Sequence, residues 1–355
     1  MTSAVTNGIN IGKHAVGQGH APFVVAEMSG NHNGSLERAL AIVDAAAASG
    51  AQAIKLQTYT ADTMTLDIRE REFLISDPHS LWNGKTLYEL YREAHTPWDW
   101  HAAIFERARA RGIAAFSAPF DASAVDFLEK LGAPCYKIAS FENIDLPLIR
   151  RVARTGKPVI ISTGMATLAE IGEAVEAARS AGAKQLILLK CTSSYPAPPE
   201  DSNLAAIPEL RRRFGCEAGL SDHTLGTGAA LAAVALGACL IEKHMTLRRA
   251  DGGVDSAFSM EPEEMAVLVA ESRHAWQALG NVQFGPSAAE KGSLIFRRSL
   301  YITRDMKKGE AFSAQNLRAI RPGLGLAPKH FDELLGKRAA RDVSRGTPMR
   351  WDLVD

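Results

Sequence analysis

Short apolar runs rich in β-branched side chains alternate along most of the chain with longer stretches whose apolar positions recur at helical spacing. The runs are FVVAE, AIKLQ, IAAFSAPF, CYKIAS, VIISTG, LILLKCT, EAGLSDH and ACLIEKH. Near-continuous apolar character predicts strands buried on both faces, as in a parallel sheet covered by helices. Eight such steps is the number that closes a (β/α)8 barrel. A doubly wound open sheet is the competitor. It is disfavoured because no GxGxxG follows the first run and polar residues close nearly every run, not only those at one crevice. The fold class expected is α/β, a (β/α)8 TIM barrel.

Before the first run, INIGKHAVGQGHAP reads as a small hairpin able to plug the bottom of the barrel. Between the second strand and its helix lies a long insertion, TYTADTMTLDIREREFLISDPHSLWNGKTLYELYREAHTPWDWH. A loop of that length at the mouth of a barrel is usually functional. Its Trp82, Trp98 and Trp100 are expected to anchor it, with a ligand-facing ring as the alternative for one of them. After the helix PEEMAVLVAESRHAWQALG, the stretch NVQFGPSAAEKGS loses periodicity and reads as a linker. The expected domains are therefore 1–281, a linker 282–295, and a β-rich domain 296–355. The last, about 60 residues long, is a marginal core that would gain from packing on something larger.

Composition narrows the partner. Lysine plus arginine equals aspartate plus glutamate at 40 each, so no global field draws the chain to nucleic acid or an anionic membrane. Any anion must be captured locally. No run of about 18 apolar residues could span a bilayer, and the amino terminus lacks the pattern of a secretory signal, so a cytoplasmic protein is expected. Cys135, Cys191, Cys216 and Cys239 form no CxxC pair and mostly sit in apolar runs, as reduced core thiols do.

Strand periodicity then sorts the polar residues. Side chains two apart near a strand's carboxyl end point into the same mouth. Lys55 with Gln57, Ser221 with His223, and Glu242 with His244 are such pairs, while Lys137, Ser162 and Lys190 close otherwise apolar runs. Lys55, Lys137 and Lys190, with Ser140 and Ser162, describe a pocket for phosphate and carboxylate, since ammonium and hydroxyl groups donate to both. His223 and His244 end successive strands, and two neutral imidazoles with open positions suit a divalent metal. The absence of thiolate partners argues against structural zinc.

Taken in order, AEMSGNHNG, KLQTY, YKIAS, ISTGM, CTSSYPAP, GLSDHTLG, IEKHMTL and IRPG resemble the sialic acid synthase family through nearly the whole chain. The resemblance implies a barrel followed by an antifreeze-like (SAF) domain, and condensation of phosphoenolpyruvate with an amino sugar. TMTLD, SLWNGKTLYELYREAHTPWDWH, FSAPFD, ASFENIDLPLI, DSAFSMEP and FRRSLY are similar to the pseudaminate-type branch more than to neuraminate or legionaminate types. That branch implies 2,4-diacetamido-2,4,6-trideoxy-L-altrose (6-deoxy-AltdiNAc) as the sugar.

Residue by residue, the resemblance implies metal ligands at His223 and His244 and a catalytic acid at Glu27. It implies phosphoenolpyruvate contacts at Lys55, Lys137, Ser162, Ser193 and Ser221, and sugar contacts at Gln57, Tyr195, Glu242, Asp255 and Arg321. The metal expected is Mn2+, with Mg2+ or Co2+ also fitting two imidazoles. A domain-swapped homodimer is implied, the arginine reaching the neighbouring barrel. Ala118 departs from the family, which carries a hydroxyl there, and Ser117 is the expected substitute. Asn31, His32 and Asn33 are expected either to contact substrate or to brace the first loop and cap the helix starting near Ser35. Two other classes remain: a non-catalytic carbohydrate-binding protein, and a metal-dependent aldolase or hydrolase on the same barrel.

Overall fold

All eight apolar runs form strands, and they pair in chain order into a closed parallel barrel in which the last strand returns to the first. The computed structural model describes residues 8–78 and 80–355; the first seven residues, part of the stretch read for a secretory signal, and residue 79 of the insertion lie outside them. The chain divides after Gly280 into two compact units.

The first unit opens with a hairpin of β1 (Ile9–Ile11) and β2 (His14–Val16), turned by Gly12 at φ 59°. The barrel follows: β3 (Phe23–Glu27), α1 (Leu36–Ala48), β4 (Ala53–Thr58), then an insertion holding α2 (Ala61–Met64) and α3 (Leu87–Ala94), then α4 (His101–Arg111). It continues through β5 (Ala114–Pro119), α5 (Ala122–Leu131), β6 (Tyr136–Ile138), α6 (Leu146–Ala153), β7 (Val159–Ser162) and α7 (Leu168–Ser180). It closes with β8 (Leu186–Cys191), α8 (Ala206–Phe214), β9 (Glu217–Asp222), α9 (Gly228–Ala235), β10 (Leu240–His244) and α10 (Pro262–Leu279). No helix among the described residues is long and apolar enough to cross a membrane.

Helix starts are written locally. Ser35, Asp121 and Asp145 accept hydrogen bonds from backbone N–H groups of α1, α5 and α6, and Thr86 with Glu89 and Thr167 with Glu170 form capping boxes on α3 and α7. Each such cap is worth about 1 kcal/mol. Helix faces and the outward strand residues, such as Ala26, Ile54, Tyr136 and Leu188, make one large core between the layers. Inward residues make a second: Val25, Ala53, Phe116, Ile160, Ile187, Leu189 and Leu240 fill the barrel, with Ile9, Ile11 and Val16 of the hairpin packed among them. The hairpin is thus the plug the sequence predicts. An apolar floor at this depth turns the polar chemistry above it to the strands' carboxyl ends.

The second unit is built on β11 (Ser299–Ile302) and β12 (Leu317–Ile320), an antiparallel pair, with one short helix, α11 (Phe331–Leu334). Isolated bridges, such as Met306 with Val343 and Ala339 with Val354, tie its loops together. Leu300, Phe312, Leu317, Leu334 and Met349 are its core. Asn316 is buried there and satisfied, donating to the Ala311 carbonyl at 2.9 Å and accepting from Ser313 N–H at 2.8 Å.

Candidate active site

Register decides which residues meet. Across the sheet, His244 lies beside Glu27, and Glu27 beside Lys55; Glu242 lies beside Ser221, and Ser221 beside Cys191. All share the inward parity of Val25, Ala53, Leu189 and Leu240 below them. Lys137 follows the same rule on β6, where Tyr136 and Ile138 face the helices. A polar layer therefore caps the apolar floor.

That layer is an ion-paired quartet. Lys55 Nζ sits 2.7 Å from Glu27 Oε2 and 3.5 Å from Glu242 Oε1. Lys137 Nζ donates to both Glu242 oxygens at 2.9 and 3.1 Å, and Ser221 Oγ donates to Oε1 at 3.2 Å. Gln57 Nε2 donates to Glu27 Oε1 at 3.0 Å and to Ser29 Oγ at 2.9 Å. All four charged groups are buried. Burial would push Glu242 up, yet Lys137 and Lys55 hold its carboxyl at about 2. Glu27 goes the other way: burial, aided by Glu242, raises it despite Lys55. Lys137 is lowered by burial, whereas in Lys55 the two carboxylates outweigh burial and raise it. Of the quartet's two carboxylates, Glu27 is thus the one placed nearer to taking a proton.

His223 and His244 are brought together, with ring centroids 5.4 Å apart. His223 Nδ1 lies 2.8 Å from the Thr192 carbonyl oxygen, which fixes the proton on Nδ1 and leaves the Nε2 lone pair free. His244 Nδ1 is buried without a partner. The loop carrying His223 is clamped from outside the barrel, where Lys243 Nζ donates to Asp222 Oδ2 and to the Thr224 carbonyl, both at 2.6 Å. Two imidazoles with free nitrogens could hold a divalent cation. Among the described residues no group of three or more His, Cys, Asp or Glu is gathered for one, so its other ligands would come from substrate or water.

A cavity of about 360 Å3 opens over this layer. Gln57, Tyr195, His244 and Asp255 line it, with Ser29, Trp82 and Glu142. Tyr195 lies over His223 at 4.5 Å between centroids, and Phe258 lies 5.0 Å from His244. Asp255 is buried and accepts from Gly30 N–H at 3.3 Å; burial raises its carboxyl. Ser162 Oγ is buried without a partner, and Gly164, which has no Cβ to intrude, lets Ser140 and Ser193 close in beside it. Glu242, read as a sugar contact, sits instead among the lysines, and Arg321 lies in an exposed turn of the second unit.

Two expectations are corrected. Lys190 shares the outward parity of Leu186 and Leu188, and its Nζ donates to the Cys191 carbonyl at 2.7 Å, so it is no part of the anion pocket. Ser117 also points outward, bonded at 2.6 Å to Thr58 Oγ1, and cannot replace the hydroxyl missing at Ala118. The first loop is braced as read, but the cap on α1 is Ser35 itself: Asn31 donates to the Met245 carbonyl and Ser259, Asn33 donates to the Gly252 carbonyl, and His32 accepts from Gly34 N–H. The tryptophans anchor the insertion, Trp82 Nε1 donating to the Val254 carbonyl and Trp98 Nε1 to that of Tyr59, while Trp100 meets His32 edge to face.

Sequence reasoning missed Cys191, whose thiol lies 3.9 Å from His223 Nδ1. Counting parity from Ile187 would have turned Cys191 inward and Lys190 outward. It also missed Glu142, Ser29 and Phe258, which lie on loops where no periodicity points.

Comparison with known proteins supplies the last observations. The chain matches the NeuB family over residues 42–284 and the SAF domain over 297–355. It is 44% identical to a pseudaminic acid synthase of Campylobacter jejuni, over 92% of this chain and 95% of that protein. Identity is 43% to the pseudaminic acid synthase of Helicobacter pylori, covering 94% and 98%. Among solved structures, an N-acetylneuraminic acid synthetase from Leptospira borgpetersenii superposes with TM-score 0.73 at 33% identity, covering 81% of this chain and 95% of that one.

Proposed function

Because the chain belongs to the NeuB family and carries a SAF domain, we propose that it condenses phosphoenolpyruvate with 2,4-diacetamido-2,4,6-trideoxy-L-altrose and water, giving pseudaminic acid and phosphate. The observation that carries the reading is the buried Glu27–Lys55–Glu242–Lys137 quartet at the mouth of a barrel so similar to pseudaminic acid synthases. A carbohydrate-binding scaffold has no use for two buried carboxylates locked to two buried lysines, which costs desolvation without adding a sugar contact.

In this reaction C3 of phosphoenolpyruvate attacks C1 of the open-chain sugar aldehyde, and positive charge develops at C2. Glu27 faces that charge and, with its raised pKa, takes the proton from the water that adds there. Cleavage of the C2–O bond then releases phosphate and leaves the 2-keto acid, which closes to a ring. Lys55 and Lys137, with the hydroxyls of Ser162, Ser193 and Ser221, bind the phosphate and carboxylate and stabilise the departing anion. Gln57 holds Glu27 in place by its Oε1. Gln57, Tyr195 and Asp255 receive the sugar.

Charge balance supports a cation. Two lysines and two carboxylates cancel within the quartet, so a phosphoenolpyruvate anion finds no net positive charge there. A divalent ion on His223 and His244, Mn2+ in our reading, would supply that charge and polarise the aldehyde oxygen. The reading places the enzyme in the cytoplasm and makes it a domain-swapped homodimer, the partner's Arg321 serving the sugar end of the barrel.

The experiment that tests it incubates purified protein with phosphoenolpyruvate and, separately, 6-deoxy-AltdiNAc, N-acetylmannosamine and the legionaminate precursor, with and without chelator. Product mass should appear with the first sugar and fall on chelation. Turnover confined to either other sugar would overturn the substrate, and chelator-insensitive turnover the cation.

A further inference from the structure

The cavity lining is chemically mixed. Strand ends and their loops contribute its polar part, Ser29, Gln57, Glu142, Tyr195, His244 and Asp255, of which Gln57, His244 and Asp255 are accounted for at the reacting end of the sugar. The insertion and the loop after β5 contribute a mainly apolar part of the lining, Met64, Ile75, Leu87, Leu90, Tyr91 and Phe120, together with Tyr59 and Trp82. Apart from the phenols of Tyr59 and Tyr91 and the Trp82 indole, which is taken up by the Val254 carbonyl, none of these side chains carries an N–H or O–H. The shelf is firmly built: the capping box of Thr86 and Glu89 starts the helix that carries Leu87, Leu90 and Tyr91, and Tyr59 packs edge to face between Tyr91 and Phe120 at 5.7 and 5.2 Å.

A sugar whose remote end bears only hydroxyls would lose their hydration against such a wall and regain few hydrogen bonds. A methyl group loses nothing there. Resting on the reaction proposed above, we infer that this shelf is the specificity subsite for a methyl-terminated substituent remote from the aldehyde. Two groups share that chemistry: the methyl of the 4-acetamido group and the C6 methyl of the deoxy position. The shelf makes the insertion the selector of this sugar over monoacetamido, hydroxymethyl ones.

Steady-state kinetics with three sugars separate the possibilities: 6-deoxy-AltdiNAc, its analogue with hydroxyl for the 4-acetamido group, and its analogue with hydroxymethyl at C6. The wild type should lose about 10- to 100-fold in kcat/KM on whichever analogue lacks the methyl that meets the shelf. Ile75→Ser and Leu87→Ser, both at partly exposed positions, should each lose about tenfold with 6-deoxy-AltdiNAc through its KM, leaving kcat and the KM for phosphoenolpyruvate unchanged. Discrimination against that one analogue should shrink in parallel. A 4-position response identifies the acetamido methyl, and a C6 response the deoxy methyl. Unchanged discrimination in both variants, with 6-deoxy-AltdiNAc still turned over, would overturn the shelf alone. No turnover of 6-deoxy-AltdiNAc by the wild type would overturn the proposed reaction itself.

Discussion

Glu142 shows how far burial alone can move a group. Its carboxyl faces the cavity from the short helical turn after β6, one oxygen is buried without a partner, and burial pushes it up to about 7 against the opposing pull of Lys137 and Lys55. A carboxyl raised in the fold favours the protonated state. Its contribution is therefore fully present below about pH 4.5 and is lost as pH rises through about 7. Glutamine keeps the shape of the protonated form. Glu142→Gln should match the wild type in stability near pH 4.5 and exceed it by about 1–3 kcal/mol above pH 7. Denaturant unfolding across that range measures the difference, and a flat difference would refute the raised carboxyl.

At the level of the strand, one residue of parity separates a functional lysine from a structural one. Lys137 points into the barrel and balances Glu242, whereas Lys190 points out and binds its own loop. Lys137→Ala should lower kcat/KM at least 10²-fold and destabilise by about 3 kcal/mol, since it takes the nearer of two lysines from a buried carboxylate. Lys190→Ala should stay within about twofold of wild type by the same assay. Equal losses in the two variants would mean the alternation has been misread. The same alternation explains what the sequence made legible. Glu27, Lys55, Gln57, Ser221, His223, Glu242 and His244 sit on or beside regular strands, where spacing fixes direction, and their shared mouth could be read directly. Residue type alone points Lys190 and Ser117 into the mouth, whereas parity counted from the inward Ile187 and Phe116 turns both outward. Glu142, Phe258 and the apolar shelf lie on loops and an insertion. Their positions depend on packing between segments far apart in sequence, such as Trp82 against Val254, which no local pattern encodes.

For the whole molecule, the question is why a barrel with a complete polar layer is joined to a second unit of 75 residues, Asn281–Asp355. That unit has its own small core and presents Arg321 on an exposed turn. In the proposed homodimer the partner's Arg321 completes each active site, which gives a test by mixing. Glu27→Gln disables the barrel of its own chain, and Arg321→Ala disables the arm that chain lends. Each homodimer alone should be nearly inactive. Random mixing makes half of the dimers mixed, and in each of these one site combines an intact Glu27 with an intact Arg321. Co-expression should therefore restore about a quarter of wild-type turnover. If the arginine instead serves its own chain, every site in the mixture lacks one of the two groups, and no activity returns.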